Sequence, residues 1–85
     1  MSPFDVEWPP PILSDLVDIW TKARDRQAVT DASAKIDDLL SRDPLNHGVH
    51  LSEGLYRLRV GPLVVTYTVD LTQRQVRINS VYTTP

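Results

Sequence analysis

The sequence contains no cysteine, which excludes disulfide bonds, a thiol nucleophile and zinc sites built from thiolates. It has no apolar run near the roughly 20 residues that a membrane-spanning helix needs. Its first residues lack the basic-then-apolar order of a secretory signal. Glycine is scarce, and no glycine-rich phosphate loop is present. We therefore expect a cytoplasmic protein that has no membrane partner.

The chain is too short for two domains, because 85 residues leave room for one modest core. We assign residues 1–85 to a single domain. The net charge of −2 argues against a protein that coats nucleic acid by bulk electrostatics. Residues 1–48 carry five basic and nine acidic side chains, whereas residues 49–85 carry four arginines and two acidic residues. Acid is concentrated in the first half and base in the second.

The first half of the chain changes from a strand pattern to two helical patterns. Alternating apolar and acidic residues predict a short edge strand over Phe4–Trp8. A helix is predicted over about 12–23, with its apolar face formed by Leu13, Leu16, Val17, Trp20 and Ala23. A second helix should end at Asp43–Pro44, and its apolar face is formed by Val29, Ala32, Ile36, Leu39 and Leu40. The two helices should form a hairpin, followed by a loop over 45–49.

The second half has the period-two alternation of β-strands. Three strands are predicted, over 55–60, 63–69 and 76–82, with Gly61–Pro62 and residues 70–74 as the turns. Short links between them predict an antiparallel meander. The order of elements is β-α-α-β-β-β, an α+β architecture in which the helices cover one face of the sheet.

Arg57 and Arg59 are the main candidates for a functional site. Residues two apart in a strand lie on the same face, about 6.5 to 7 Å apart, which is close to the spacing of successive phosphates in single-stranded nucleic acid. Arg77 should lie on the same face, and Arg74 should lie near it in the preceding turn. The alternative is an ordinary solvated face with scattered ion pairs.

Other chemistry-bearing residues suggest no further site. His47 and His50 are two potential ligands without a third, so we expect neither a metal nor a cofactor. Trp8 and Trp20 fit core positions, and the alternative for either is a partner interface. Tyr67 should be buried by strand parity, whereas Tyr82 should be more available.

The strand sequences resemble those of the RelE/ParE superfamily of type II toxins, which includes plasmid-stabilisation proteins. The resemblance lies in Asp43–Pro44, Leu51–Leu63 and Val65–Asp70, and it covers nearly the whole chain. It implies a bacterial toxin with an antitoxin partner. RelE-like members cleave messenger RNA on the ribosome, using basic residues on the sheet and a basic or tyrosine proton carrier. ParE-like members inhibit DNA gyrase instead.

The resemblance assigns roles residue by residue. Arg57 and Arg59 match the two basic residues of the RelE-like strand, and Tyr82 is the candidate for the tyrosine; these three form the expected catalytic set. Arg57, Arg59, Arg74 and Arg77 are the expected contacts for RNA phosphates or for the antitoxin. Val64 occupies a position where an arginine is usual, and it cannot stabilise negative charge on phosphorus.

The resulting hypothesis is a toxin that acts as a messenger-RNA endoribonuclease of reduced activity. Losing one preorganised charge donor typically raises a barrier by roughly 2.7 to 4 kcal/mol. The first alternative is a protein without nuclease activity, either a gyrase inhibitor or a degenerate toxin that only binds its antitoxin. The second is a small interaction domain unrelated to toxins.

Overall fold

The structure is a computed structural model that describes residues 4–84; residues 1–3 and 85 of the assigned domain 1–85 lie outside the described residues. The elements in chain order are β1 (Asp5–Glu7), α1 (Pro10–Lys22), α2 (Arg26–Arg42), α3 (Pro44–His47), β2 (Val49–Ser52), β3 (Leu55–Val60), β4 (Leu63–Asp70) and β5 (Gln75–Thr83). All described strands form one sheet in the order β1-β5-β4-β3-β2. Strands β2 to β5 pair antiparallel, and β1 pairs parallel with β5 at the edge. The predicted α+β fold is confirmed.

The structure adds two short elements at and just after the predicted loop. Pro44–His47 forms one helical turn, and Val49–Ser52 forms the edge strand β2, so the meander has four strands rather than three. All residues of β2 are exposed. An exposed edge strand is defined by its hydrogen bonds to the neighbouring strand, which the sequence pattern alone does not show.

The two long helices begin where local chemistry favours a helix start. Pro10 and Pro11 form the first turn of α1, where the missing N–H of proline would have no partner in any case. Helix α2 begins after Asp25, whose carboxylate accepts a hydrogen bond of 3.0 Å from the backbone N–H of Ala28. It ends at Arg42, before Asp43–Pro44, as predicted.

Helix α2 supplies much of the core, as its pattern predicts. Its buried residues are Val29, Ala32, Ile36 and Leu40. They pack against a cluster on the facing side of the sheet that includes Leu58, Leu63, Val65, Tyr67, Val76, Ile78 and Val81. Both long helices therefore cover one face of the sheet. No helix within residues 4–84 is long and apolar enough to cross a membrane.

The apolar face predicted for α1 is partly wrong. The residues that pack on the core are Ile12, Leu16, Ile19 and Ala23. Leu13, Val17 and Trp20 are instead 45%, 61% and 41% exposed. Helix α1 carries two adjacent apolar stripes, and only one of them can face the sheet. The second, which we call the outer stripe, consists of Leu13, Val17 and Trp20, so the assignment of Trp20 to the core is incorrect; Trp8 does pack against the core.

Candidate functional site

The face of the sheet opposite the helices carries the candidate site. We call it the open face; its residues on β3 to β5 are Leu55, Arg57, Arg59, Val64, Thr66, Thr68, Arg77, Ser80 and Tyr82. Arg57 and Arg59 alternate along β3 with Leu58, which is buried beneath the helices. Both arginines are exposed. Neither has an ion-pair partner among residues 4–84. The predicted shared face of the two arginines is therefore present, with both charges available.

The strand register places each arginine in a row that crosses three strands. Arg57 lies opposite Thr66, which lies opposite Ser80. The hydroxyl oxygens of Thr66 and Ser80 are 2.6 Å apart and share a hydrogen bond. Sequence reasoning missed this hydroxyl pair, because only the register brings the two side chains together across β4 and β5. The pair provides neutral hydrogen-bonding groups beside the Arg57 guanidinium.

The second row consists of Arg59, Val64 and Tyr82. Val64 is only 3% exposed, whereas Tyr82 is 44% exposed. Adjacent strands lie about 4.8 Å apart, so the backbones of Arg59 and Tyr82 are roughly 10 Å apart. The row thus places a cation and a phenol on either side of an apolar residue. It contains no charge donor at its centre.

A bulge in β5 is responsible for the position of Tyr82. Tyr67 pairs with Ile78 and Thr66 pairs with Ser80, so Asn79 is an extra residue without a partner on β4. Without the bulge, simple alternation from Ile78 would turn Tyr82 towards the helices. The extra residue reverses the parity, so that the next buried residue is Val81 and Tyr82 joins the open face.

The structure separates the other two candidate arginines. Arg77 lies on the open face beside Thr68, and its Nε is 3.8 Å from Oε1 of Glu7 on β1. Arg74 lies in the β4–β5 turn with a φ of 52°. Its guanidinium lies 4.8 Å from the centre of the Phe4 ring. Because Phe4 packs against the core, Arg74 is held at Phe4 and does not extend the arginine row.

The side chain of Tyr67 is buried in the core between the sheet and the helices, as predicted. It is 0% exposed, and its hydroxyl donates a hydrogen bond of 2.7 Å to the Pro44 carbonyl. Burial, with further contributions from Tyr56 and Asp43, raises the pKa of Tyr67 to about 12. A tyrosine in this environment keeps its proton at neutral pH. Its role is to fasten β4 to α3.

The two histidines are separated by the turn into the sheet. His47 ends α3, and His50 lies on β2 with its ring centre 5.0 Å from that of Tyr56. Within residues 4–84, no three side chains of the histidine or carboxylate type are arranged to hold a metal ion. The open face therefore offers guanidinium, hydroxyl and phenol groups for its chemistry.

Known proteins resemble this chain in their three-dimensional structure and not in their sequence families. No protein-family model matches the sequence, and no curated protein is similar to it. Among solved structures, the chain resembles one chain of the toxin–antitoxin complex RelBE2 from Mycobacterium tuberculosis, with a TM-score of 0.77 and 24% identity over 96% of this chain and 99% of that one. It also resembles a chain of the archaeal RelE–RelB complex from Pyrococcus horikoshii, with a TM-score of 0.72 and 16% identity over 95% and 94% of the two chains. The RelE-like fold predicted from the strand sequences is thus confirmed.

Proposed function

We propose that the chain is the toxin component of a type II toxin–antitoxin pair, and that its open face binds the backbone of messenger RNA in the cytoplasm. The observation that carries this proposal is the pair Arg57 and Arg59. They lie side by side on the open face of a RelE-like sheet, and neither has an acidic partner among residues 4–84. The similar RelBE2 structure is a toxin–antitoxin complex, which supports the same kind of pairing for this chain.

The charge distribution supports binding of phosphates at this face. Arginine presents two parallel N–H donors that match a phosphate group, and exposed guanidinium groups need no costly removal of a competing carboxylate. Arg77 extends the basic surface, although Glu7 lies 3.8 Å away. Because both Arg57 and Arg59 are exposed, the interaction should depend strongly on salt.

Salt dependence gives a direct test of phosphate contacts. For single strands, the slope of log K against log salt is about −0.7 per phosphate contact. Replacing Arg57 and Arg59 by alanine should therefore make this slope shallower by about 1.4. The slope is measured by fluorescence anisotropy titrations with a short, uncleavable RNA at several salt concentrations. The matched control removes two cations from α2, Lys35 and Arg42, and should leave the slope unchanged. An unchanged slope in the Arg57/Arg59 variant would contradict RNA binding by this face.

The same face supports a ribonuclease of reduced activity. Attack of a ribose 2′-hydroxyl on the adjacent phosphorus requires one proton to be removed and another to be supplied to the leaving oxygen. Of the three tyrosines, only Tyr82 lies on the open face. In this arrangement Arg59 stabilises the phosphate from one side, and Tyr82 lies on the other side. Val64 occupies the centre of the row, where a further charged side chain would act. Expression in bacteria, with and without the Arg57/Arg59 changes, tests this activity by growth arrest and messenger-RNA cleavage.

Val64 favours a second candidate function, a partner-binding protein without nuclease activity. An apolar, nearly buried residue at the centre of the row cannot stabilise a phosphorane. Such a protein would inhibit DNA gyrase or bind only its antitoxin. A supercoiling assay and an RNA-cleavage assay on the same sample separate these functions. Gyrase inhibition without RNA cleavage would support the ParE-like alternative and overturn the nuclease.

The outer stripe on α1 is our proposed contact for the antitoxin. Leu13, Val17 and Trp20 are exposed, and residues 1–48 carry five basic and nine acidic side chains. This combination suits an amphipathic antitoxin segment with apolar and basic side chains. When the chain is co-expressed with its antitoxin, Val17→Asp should abolish co-purification of the two proteins. Leu71→Asp is the matched control, because Leu71 is 62% exposed and Val17 is 61% exposed; equal loss with both variants would contradict the assignment.

A further inference from the structure

A cleft of about 700 Å³ lies at one end of the sheet, between the turn that joins α1 to α2 and the turn that joins β3 to β4. The first turn contributes Arg24 and Asp25, and the second contributes Gly61 and Pro62. Arg59 also lines the cleft. Its volume is within the range of small-molecule sites, about 300 to 1,000 Å³. Arg59 thus belongs both to the cleft lining and to the open face.

Basic side chains outnumber acidic ones in the cleft lining. Lys22, Arg24 and Arg59 line it together with one carboxylate, that of Asp25. That carboxylate is engaged in capping α2, and Lys22 forms an exposed ion pair of 3.0 Å with Asp18. Arg24 and Arg59 have no ion-pair partner within the part of the chain that the structure describes. The lining therefore includes two arginines that have no ion-pair partner among residues 4–84, in a chain whose net charge is −2.

The rest of the lining is largely apolar. Ile19, Ala23, Val29 and Pro62 form a wall beside the basic groups, and Val29 is only 2% exposed. A bare anion would use the guanidinium groups but leave this wall exposed to water. A ligand with both a phosphate and a flat, weakly polar ring would contact both parts of the cleft. A nucleotide has this composition.

We propose that the cleft is a nucleotide subsite, in which Arg24 and Arg59 hold a phosphate and the base packs on the wall formed by Ile19, Ala23 and Pro62. The proposal rests on the function proposed above, in which Arg57 and Arg59 hold the RNA backbone. The strand then continues from Arg59 past the end of β3 into the cleft. Its occupant is the nucleotide next to the one held at Arg57.

The test uses three probes that share a phosphate and differ in what is attached to it: inorganic phosphate, ribose 5-phosphate and adenosine 5′-monophosphate. Each is titrated into the isotope-labelled chain and followed by the backbone amide signals. We expect the mononucleotide to shift the signals of Ala23–Asp25 and Gly61 and to bind about tenfold more tightly than ribose 5-phosphate, because only the base reaches the apolar wall. Equal affinities for all three probes would overturn the nucleotide assignment.

Arg24→Gln should weaken mononucleotide binding about tenfold, since it removes a charge-assisted hydrogen bond. The control is Arg42→Gln, which removes an exposed arginine of α2 that pairs with Asp38 at 3.1 Å. Circular dichroism checks that both variants keep the fold. Equal binding by the two variants would overturn the role of Arg24.

The outcomes separate this proposal from the RNA-binding function. If the shifts occur only around Arg57, Thr66 and Ser80, the cleft is not a subsite, whereas RNA binding by the open face stands. If the mononucleotide binds in the cleft but short RNA shows no salt-dependent binding to Arg57 and Arg59, the RNA-binding function is overturned, whereas the cleft stands as a mononucleotide site.

Discussion

Replacing Tyr67 by phenylalanine removes one hydroxyl from the buried interior and should weaken the fold at neutral pH. The hydroxyl is fully buried and donates a hydrogen bond of 2.7 Å to the Pro44 carbonyl. The variant leaves that carbonyl without its donor, and an unsatisfied buried group costs about 1 to 3 kcal/mol. The ring can keep its stacking with Tyr56, whose centre lies 5.6 Å away. The decrease in the free energy of unfolding at pH 7 therefore measures the contribution of the hydroxyl group and not that of ring packing.

The pH dependence of unfolding gives the sharper signature. Burial raises the pKa of Tyr67 from 10.0 to about 12, so the folded state holds the proton more tightly than the unfolded state. The stabilisation is fully present below pH 10 and is lost as the pH rises towards 12. At pH 11 the unfolded chain is mostly ionised at this position and the folded chain is mostly not, which costs the wild type about 1.4 kcal/mol relative to neutral pH.

Urea unfolding at pH 7 and pH 11 measures both effects. The gap in unfolding free energy between wild type and Tyr67→Phe should narrow by about 1.4 kcal/mol at the higher pH, because the variant has no proton to lose there. Tyr82→Phe is the matched control, since Tyr82 is 44% exposed, and it should track the wild type at both values. An equal alkaline loss in wild type and Tyr67→Phe would refute the assignment of the pH effect to Tyr67.

Three further predictions follow from individual contacts and from the proposed chemistry. Gly48→Ala should lower the free energy of unfolding in urea by about 1 to 3 kcal/mol, because its β-carbon would overlap the Tyr67 hydroxyl. Gly61→Ala is the control, since a β-carbon there meets no neighbour; equal losses would contradict the overlap. Asp25→Ala should lower the free energy of unfolding, measured by thermal denaturation, by about 0.5 to 2 kcal/mol through loss of the α2 cap. Asp25→Asn should retain most of the stability of the wild type, because asparagine also caps helices; equal losses in the two variants would argue against capping. Val64→Arg should raise the rate of RNA cleavage by about 10²-fold, whereas the control Val64→Leu should leave the rate unchanged; equal rates for the two variants would contradict the view that Val64 marks a missing charge donor.

Much of the fold could be predicted because the spacing of apolar residues along the chain indicates which side chains are buried. The buried face of α2 and the shared face of Arg57 and Arg59 follow from spacings of 3.6 and two residues, which side-chain geometry imposes wherever a helix or strand forms. The end of α2 before Pro44 follows from the restricted backbone of the residue preceding proline. These features depend only on residues that are close together in the sequence.

Arg77 lies on the open face as predicted, but the positions of Tyr82, Arg74 and the Thr66–Ser80 pair could not be predicted, because they depend on pairing between distant segments. Tyr82 reaches the open face only because Asn79 bulges out of the β4–β5 ladder. Thr66 meets Ser80 through the same register. Arg74 turns to Phe4 because β1 pairs with β5 next to the turn that holds it. None of these pairings leaves a periodic signal in the sequence.

The sequence by itself determined the succession of edge strand, helical hairpin and antiparallel meander, though not the short elements α3 and β2. It also placed two arginines on one face, since alternation along a single strand requires no knowledge of its neighbours. Only the tertiary structure decided which stripe of α1 faces the core and which stays exposed, because both stripes are apolar and the sheet covers one. It also decided what surrounds the arginines. Arg59 lies in a row with Val64 and Tyr82 and borders a cleft with Arg24, since strand register and the packing of the helical hairpin bring together residues that are far apart in the chain.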